Sequence, residues 1–282
     1  MSAPDSNHGC LTTVSCSESP LLDKSKFPYL SLVGSLLWVT ITRPDVATTA
    51  VSRACQHSRN PTVAHWRAAI RILRYLATTA TFSLYYGRAL RPVTMSAYAD
   101  AAFGNETERR SHYGHYIADC LVCWQSKSTK SVCLSTAEAE YIASTECTKD
   151  VLWVRNMLAE IGFPQSQPTV LYEDNQGCVA MVNNHVVTGR NRHFCVKMAW
   201  LRGQKRNGVV VFTFVASKNN VADIFTKILA GPALQRLSVT LLRDMDTKPR
   251  CVGGRGVDYI PVLISYSLPR ISKTLSVSAI SH

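Results

Sequence analysis

No stretch of this chain is long and apolar enough to span a bilayer, and acidic residues are few. The most apolar run, Tyr29 to Ile41, is short and is interrupted by Ser31, Gly34 and Ser35, whereas a membrane helix needs about 20 predominantly apolar residues. Met1 to Lys26 is polar and serine-rich, without the apolar centre of a secretory signal. An intracellular protein of cytoplasm or nucleus is expected, with no membrane and no disulfide-linked partner. Ten cysteines in that setting read as reduced thiols, not as a disulfide framework. Cys120 and Cys123 have redox or zinc spacing, but no second Cys/His pair stands where a zinc site needs one. Asp+Glu total 19 against 31 Lys+Arg, a net charge of +12. That balance favours a polyanionic partner, nucleic acid ahead of an anionic membrane. With 282 residues, 46% of them hydrophobic, one or two domains with a substantial core are possible.

What is present is organised around Ser135-Thr136-Ala137-Glu138-Ala139-Glu140-Tyr141. Ser135 and Glu138 have the spacing of a reciprocal helix N-terminal cap. The helix they open is expected to run to about Gly162, where glycine and then Pro164 stop it. Ala143, Cys147, Val151, Val154, Leu158 and Ile161 recur at steps of three and four, which marks one core-facing stripe. Glu140 heads that stripe, and a carboxylate there is costly unless a cation answers it.

Before this helix, residues 1–26 read as unstructured and 27–89 as helical. Leu30, Val33, Leu36 and Leu37 share one stripe, and Asn60-Pro61-Thr62 starts a helix containing Trp66, Ile70, Leu73 and Leu76. On that helix Arg67, Arg71 and Arg74 share a face, which suits either a phosphate backbone or solvent. Leu90 to Phe103 reads as extended and carries Asp100, a poor strand former. Two further strands, Gly114 to Ala118 and Leu121 to Ser126, precede the long helix. After it come a strand, Thr169 to Tyr172, that ends at Glu173-Asp174, and a short helix through Val179, Met181 and Val182. A basic helical stretch over 190–206 and a strand from Val209 to Val215 follow. Asn220-Val221-Ala222-Asp223 opens a helix continuing through Phe225, Ile228 and Leu229. Asp174 and Asp223 can each be explained as caps or dipole acids of the helices beside them. Taken in order, however, Asp100, Glu140, Asp174 and Asp223 form a set of carboxylates, and clustered carboxylates hold hard cations such as magnesium.

Phe27 to about Leu242 resembles the C-terminal part of copia-type retrotransposon polyproteins, and Leu90 onward resembles their ribonuclease H domain. The matching phrases include Leu32-Val33-Gly34-Ser35-Leu36-Leu37, Thr42-Arg43-Pro44-Asp45, Trp124-Gln125-Ser126-Lys127, Leu134 to Tyr141, Asp174-Asn175-Gln176, Arg192-His193 and Ala222 to Lys227. The resemblance implies an α/β fold, a ribonuclease H-like five-stranded mixed sheet flanked by helices. A remnant of the reverse transcriptase thumb or connection region over 27–89 is expected to precede it, with the ribonuclease H-like domain over 90–242; 243–282 match nothing in the family and, serine-rich and without a sustained period, are expected to form an unstructured or poorly ordered tail. It assigns two magnesium or manganese ions to Asp100, Glu140, Asp174 and Asp223, and adds His193 to the catalytic set. It implies hydrolysis of the RNA strand of an RNA–DNA hybrid, leaving a 3′-hydroxyl. Arg67, Arg71, Arg74, Lys127, Lys130, Asn175, Gln176, Arg190 and Arg192 are the expected nucleic-acid contacts.

The sequence departs from the family at several points. After Asp100 the family places alanine, a second aspartate and tryptophan, where this chain has Ala101-Ala102-Phe103 and a segment that reads one residue short before Asn105. Cys195 and Ala199 stand where aspartate and histidine are usual. No Asp-Asp dipeptide occurs, so DNA synthesis is not expected. Weakened turnover is the expectation, with a non-catalytic hybrid-binding module as the alternative and a DDE-type nuclease on the same fold as a less favoured third reading. If phosphate contacts from this basic surface dominate hybrid binding, affinity should fall by about tenfold or more between 50 and 200 mM salt with little dependence on sequence. Fluorescence anisotropy on labelled hybrids checks this, and an affinity that ignores salt would contradict it.

Overall fold

The computed structural model describes residues 19–46, 49–86, 95–103, 112–117, 121–129, 133–183, 195–227 and 229–245. Three helices come first: α1 Tyr29–Val39, α2 Thr49–Gln56 and α3 Val63–Thr78. Thr62 caps α3 by accepting from the His65 N–H, and the Thr62 N–H donates to His65 Nδ1 at 3.0 Å, so a histidine takes the part glutamate usually plays. Val33, Leu36, Val51, Ala69 and Ile72 form the core of this group. Leu30 and Leu37 do not join it. They are 69% and 53% exposed, because the buried stripe of α1 runs through Tyr29, Val33 and Leu36 instead.

Residues 19–26, expected to be unstructured, are packed onto this group. Leu22 is buried, its N–H donates to the Pro61 carbonyl at 2.9 Å, and the Ala64 N–H at the start of α3 donates to Ser19 Oγ. One leucine inside a serine-rich run was too weak a signal to show this.

A short strand, β1 Phe82–Ser83, leads to the main sheet: β2 Ser96–Ala102, β3 His112–Ile117, β4 Cys123–Ser128, β5 Thr169–Glu173 and β6 Val210–Phe214. Their order is β4-β3-β2-β5-β6, antiparallel from β4 to β2 and parallel from β2 through β5 to β6. The parallel half is the consequence of helical crossovers, which parallel neighbours require: α4 Thr136–Glu160 lies between β4 and β5, while α5 Gln176–Asn183 and α6 Cys195–Arg206 lie between β5 and β6. This is a five-stranded mixed sheet flanked by helices, the architecture that the resemblance implied.

The predicted stripe of α4 is buried at Ala143, Cys147, Val151 and Val154, against Ala97, Ala99, Ala101 and Leu171 of the sheet. Ile161 is 61% exposed. The helix has already ended at Glu160, and Gly162 turns the chain away with φ 91°. The segment after Asn220 also differs from expectation: it is a single 3-10 turn, Val221–Phe225, and a separate helix, α7 Gly231–Leu241, follows. The final strand, β7 Arg243–Asp244, pairs with β1, so these two residues of the expected tail are in a strand, and 246–282 lie outside the described residues.

One buried network ties the helical group to α7. Arg43 clasps Asp45 with two hydrogen bonds, Nε to Oδ1 at 2.9 Å and Nη2 to Oδ2 at 2.8 Å, and also donates to the Thr79 carbonyl and hydroxyl. Tyr75 donates to Asp45 Oδ2 at 2.7 Å and meets Ser238 Oγ of α7 at 3.1 Å. Removing one member of a buried ion pair leaves the other charge without compensation. Arg43→Met is therefore expected to lower unfolding free energy by about 3–5 kcal/mol, and Tyr75→Phe by only about 1 kcal/mol. Urea unfolding of both variants measures the difference, and equal small losses would contradict the assigned role of the pair.

Candidate metal centre

Asp100 lies in the middle of β2, and Asp174 is the residue after β5. The parallel register pairs Tyr98 with Tyr172, so Asp100 and Asp174, each two residues further on, stand level on neighbouring strands. With a side-chain period of two they share the face on which the Tyr98 and Tyr172 rings stack at 4.7 Å. Glu140 arrives from the second turn of α4. Oxygens of Asp100, Glu140 and Asp174 all lie within 4.8 Å of one another.

The start of α4 is fixed by its cap. Ser135 Oγ accepts from the Glu138 N–H at 3.2 Å, and Glu138 accepts from the Leu134 N–H at 2.7 Å, one residue earlier than the expected reciprocal partner. Glu138 is thereby occupied as a cap and Glu140 is left facing the other acids. Asp174 does not cap α5; Asn175 Oδ1 accepts from the Cys178 N–H at 3.0 Å and does so instead. The 3-10 turn is likewise capped by Asn220 Oδ1, not by Asp223, and Asn220 Nδ2 anchors the turn to the Ala99 carbonyl of β2 at 2.9 Å.

Asp223 stands beside the cluster, not within it. It accepts from Lys227 Nζ at 2.6 Å, and the same ammonium donates to Asp100 Oδ1 at 3.1 Å. Thr226 Oγ1 donates to Asp100 Oδ2. Thr226, Lys227 and Glu173 belong to the site's surroundings although the sequence reading did not single them out. Glu173 is fully buried behind the cluster, with Ser144 Oγ donating to it at 2.7 Å and the Asn175 N–H at 3.2 Å. The acidic end of β5 was a signal for Glu173; the i, i+4 spacing of Asp223 and Lys227 was one for the lysine.

Electrostatics follow from crowding. Burial, then Glu173, Asp100 and Asp174, push the Glu140 carboxyl up to about 11. Burial pushes Glu173 up to about 8 against the hydrogen bonds from Ser144 and Asn175. Burial and Asp100 push Asp223 up to about 6, and burial raises Asp100 although Lys227 and Thr226 oppose it. Burial alone would lower Lys227, but Asp100 and Asp223 outweigh it and raise the ammonium above its ordinary range. Glu140 Oε2 is buried and has no hydrogen-bond partner. An orphaned carboxylate oxygen facing two more carboxylates is a donor set of hard oxygens, which fits a divalent ion such as magnesium or manganese.

The remaining expected contacts are dispersed. Arg67 and Arg74 are exposed and Arg71 is half-buried on α3; Lys127 is exposed on β4; Asn175 is half-buried in its capping role and Gln176 is exposed at the start of α5. Lys130, Arg190, Arg192 and His193 lie outside the described residues, as do most of the segment after Phe103 and the stretch before Cys195. Among the described residues no helix is long and apolar enough to cross a membrane.

No protein-family model matches the chain. It is similar to the retrovirus-related Pol polyprotein from transposon RE2 of Arabidopsis thaliana, 32% identical over 213 residues, which cover 74% of this chain and 14% of that protein. It is also similar to the retrovirus-related Pol polyprotein from transposon TNT 1-94 of Nicotiana tabacum, 34% identical over 209 residues, covering 73% of this chain and 15% of that one. The chain thus spans only about a seventh of the length of these relatives. Among solved structures it resembles LC11-RNase H1 in complex with RNA/DNA hybrid at 17% identity and a TM-score of 0.39, covering 50% of this chain and 99% of that one.

The raised carboxyls set the pH dependence of the metal-free chain. Glu140, Glu173 and Asp223 hold protons in the fold at pH values where the unfolded chain, with ordinary values of 4.5 for glutamate and 3.8 for aspartate, has released them. Their contribution is complete below the ordinary carboxylate range and is lost as pH rises through about 6, then 8 and towards 11. In EDTA, the melting temperature should fall between pH 5.5 and 8.5, and Glu140→Gln should recover about 2–4 °C at the upper pH. Magnesium should reduce the slope in the parent chain. A melting temperature that climbs with pH in EDTA would contradict the crowding of these acids.

Proposed function

This chain belongs to the Pol polyproteins of copia-type retrotransposons, and from that premise we propose that it hydrolyses the RNA strand of RNA–DNA hybrids at the Asp100–Glu140–Asp174 centre. The observation that carries the reading is the buried, partnerless Glu140 oxygen in a triad of carboxylates within 4.8 Å of one another. A divalent ion held by Asp100, Glu140 and Asp174 would lower the pKa of a bound water and stabilise the charge developing on a phosphodiester. The chain's own residues position that set. Thr226 and Lys227 orient Asp100, the α4 cap sets the direction of Glu140, and β5 with the Asn175 cap presents Asp174. Ser144 holds the buried Glu173 carboxyl behind them.

Substrate binding rests on different groups. A net charge of +12 favours the phosphates of a hybrid, with Arg67, Arg71, Arg74, Lys127, Gln176 and the basic residues near His193 as contacts. A hybrid would be selected by groove shape and 2′-hydroxyls, not by sequence. Ala102-Phe103, in place of the family's aspartate and tryptophan, favours slow turnover, because misplacement by about 1 Å costs on the order of a hundredfold in rate.

A single-turnover assay on a labelled hybrid with magnesium or manganese tests the reading. Slow cleavage that leaves 3′-hydroxyl ends and disappears in Asp174→Asn is expected. Intact hybrid after long incubation, with binding retained, would leave only the non-catalytic module.

A further inference from the structure

The two halves of the acidic pocket are answered differently. On one side, Asp100 and Asp223 share the Lys227 ammonium, at 3.1 Å and 2.6 Å. On the other, Glu140 is 7% exposed and its Oε2 has no partner, although Asp100 and Asp174 oxygens lie within 4.8 Å. Lys227 is held where it is by the backbone. Its N–H donates to the Asp223 carbonyl at 2.9 Å, one turn after Asn220 has pinned the segment to β2. Its side chain is 37% exposed while that of Asp100 is 0%, so the lysine enters from the rim and ends on a buried charge.

We propose that Lys227 is the resident second cation of this centre, so that the site takes one divalent ion, on Asp100, Glu140 and Asp174, while the lysine holds the Asp100–Asp223 edge. This deepens the metal-centre reading above and rests on it. An ionised carboxylate has about four lone-pair sites, so Asp100 can accept from Lys227 and Thr226 and still face an ion. Asp223 keeps lone pairs too, but it accepts from the same ammonium at 2.6 Å, so an ion on that edge would lie against a positive charge. A second divalent ion there would have to displace Lys227 from two charge-assisted hydrogen bonds or sit beside a like charge in a pocket of low dielectric. The lysine thereby supplies fixed positive charge beside the reacting phosphodiester. The resemblance implied two ions, and Lys227 takes the place of one.

Manganese binding to the full chain, counted by isothermal titration calorimetry and by loss of the free-ion electron paramagnetic resonance signal, tests this without any turnover. The parent chain should bind one ion. Lys227→Gln, checked for folding by circular dichroism, should bind two, or bind a single ion at least about tenfold more tightly than the parent does. Lys227→Arg, which keeps the cation, should still bind one. Two ions on the parent chain, or one ion with unchanged affinity in Lys227→Gln, overturn the role of the lysine and leave the metal centre standing. No ion on the parent chain, with Asp174→Asn indistinguishable from it, overturns the metal-centre reading and this inference together.

Discussion

Like charges crowded at one end of a sheet are the constraint on which this structure depends. Asp100, Glu140 and Asp174 are brought together by three elements that the core cannot avoid placing there: two parallel strands in fixed register and the helix that crosses between their faces. The repulsion is offset locally. Lys227 answers Asp100 and Asp223, Ser144 and a backbone N–H answer Glu173, and among the described residues Glu140 Oε2 is the buried carboxylate oxygen left without a hydrogen bond. A fold selected only for stability would replace such a group, because burying an unpaired carboxylate is costly. Its retention in a pocket with two other acids is what makes a cation the economical explanation.

A second buried charge shows the contrasting case. Arg43 and Asp45 satisfy each other through paired hydrogen bonds, and Thr79 and Tyr75 take up the remaining donors and acceptors. Through Tyr75 and Ser238 the pair joins α3 to α7, and the pairing of β1 with β7 fastens the same two regions again. The helical group is therefore braced against the segment that follows Lys227. The Thr42-Arg43-Pro44-Asp45 phrase, one of those that carry the resemblance, is a structural clasp.

How much of this was legible beforehand depended on periodicity and local rules. The α4 cap, its buried stripe and the β5 and β6 strands were readable because a helix repeat and a run of β-branched residues are local properties. The convergence of Asp100, Glu140 and Asp174 was not local; their order along the chain suggested a set, and the resemblance supplied the reason. Leu30, Leu37 and Ile161 were misread because a stripe of apolar residues does not say which of its edges the neighbouring element covers. The 3-10 turn at Val221–Phe225 was misread as a helix for the opposite reason: Asn220 is a good cap, but its side chain also ties the turn to β2, which halts it after five residues. Lys227 is inconspicuous in the sequence, since a lysine four residues after an aspartate reads first as an ordinary surface pair.

Under the proposed function, binding and hydrolysis would depend on different length scales in this molecule. Attraction to a nucleic acid would come from a charge of +12 spread over the chain, and losing one cation would change it little. The acidic pocket opposes that attraction until cations reverse its sign, so a permanently bound lysine has a use even before any ion arrives. Hydrolysis instead requires three carboxylates on three separate elements to hold their mutual positions to a fraction of an ångström. Changes next to Asp100 act on the second requirement and leave the first almost untouched. A chain that drifts in this way loses turnover before it loses its partner, and the replacement of the family's aspartate and tryptophan by Ala102 and Phe103 lies where that loss would begin.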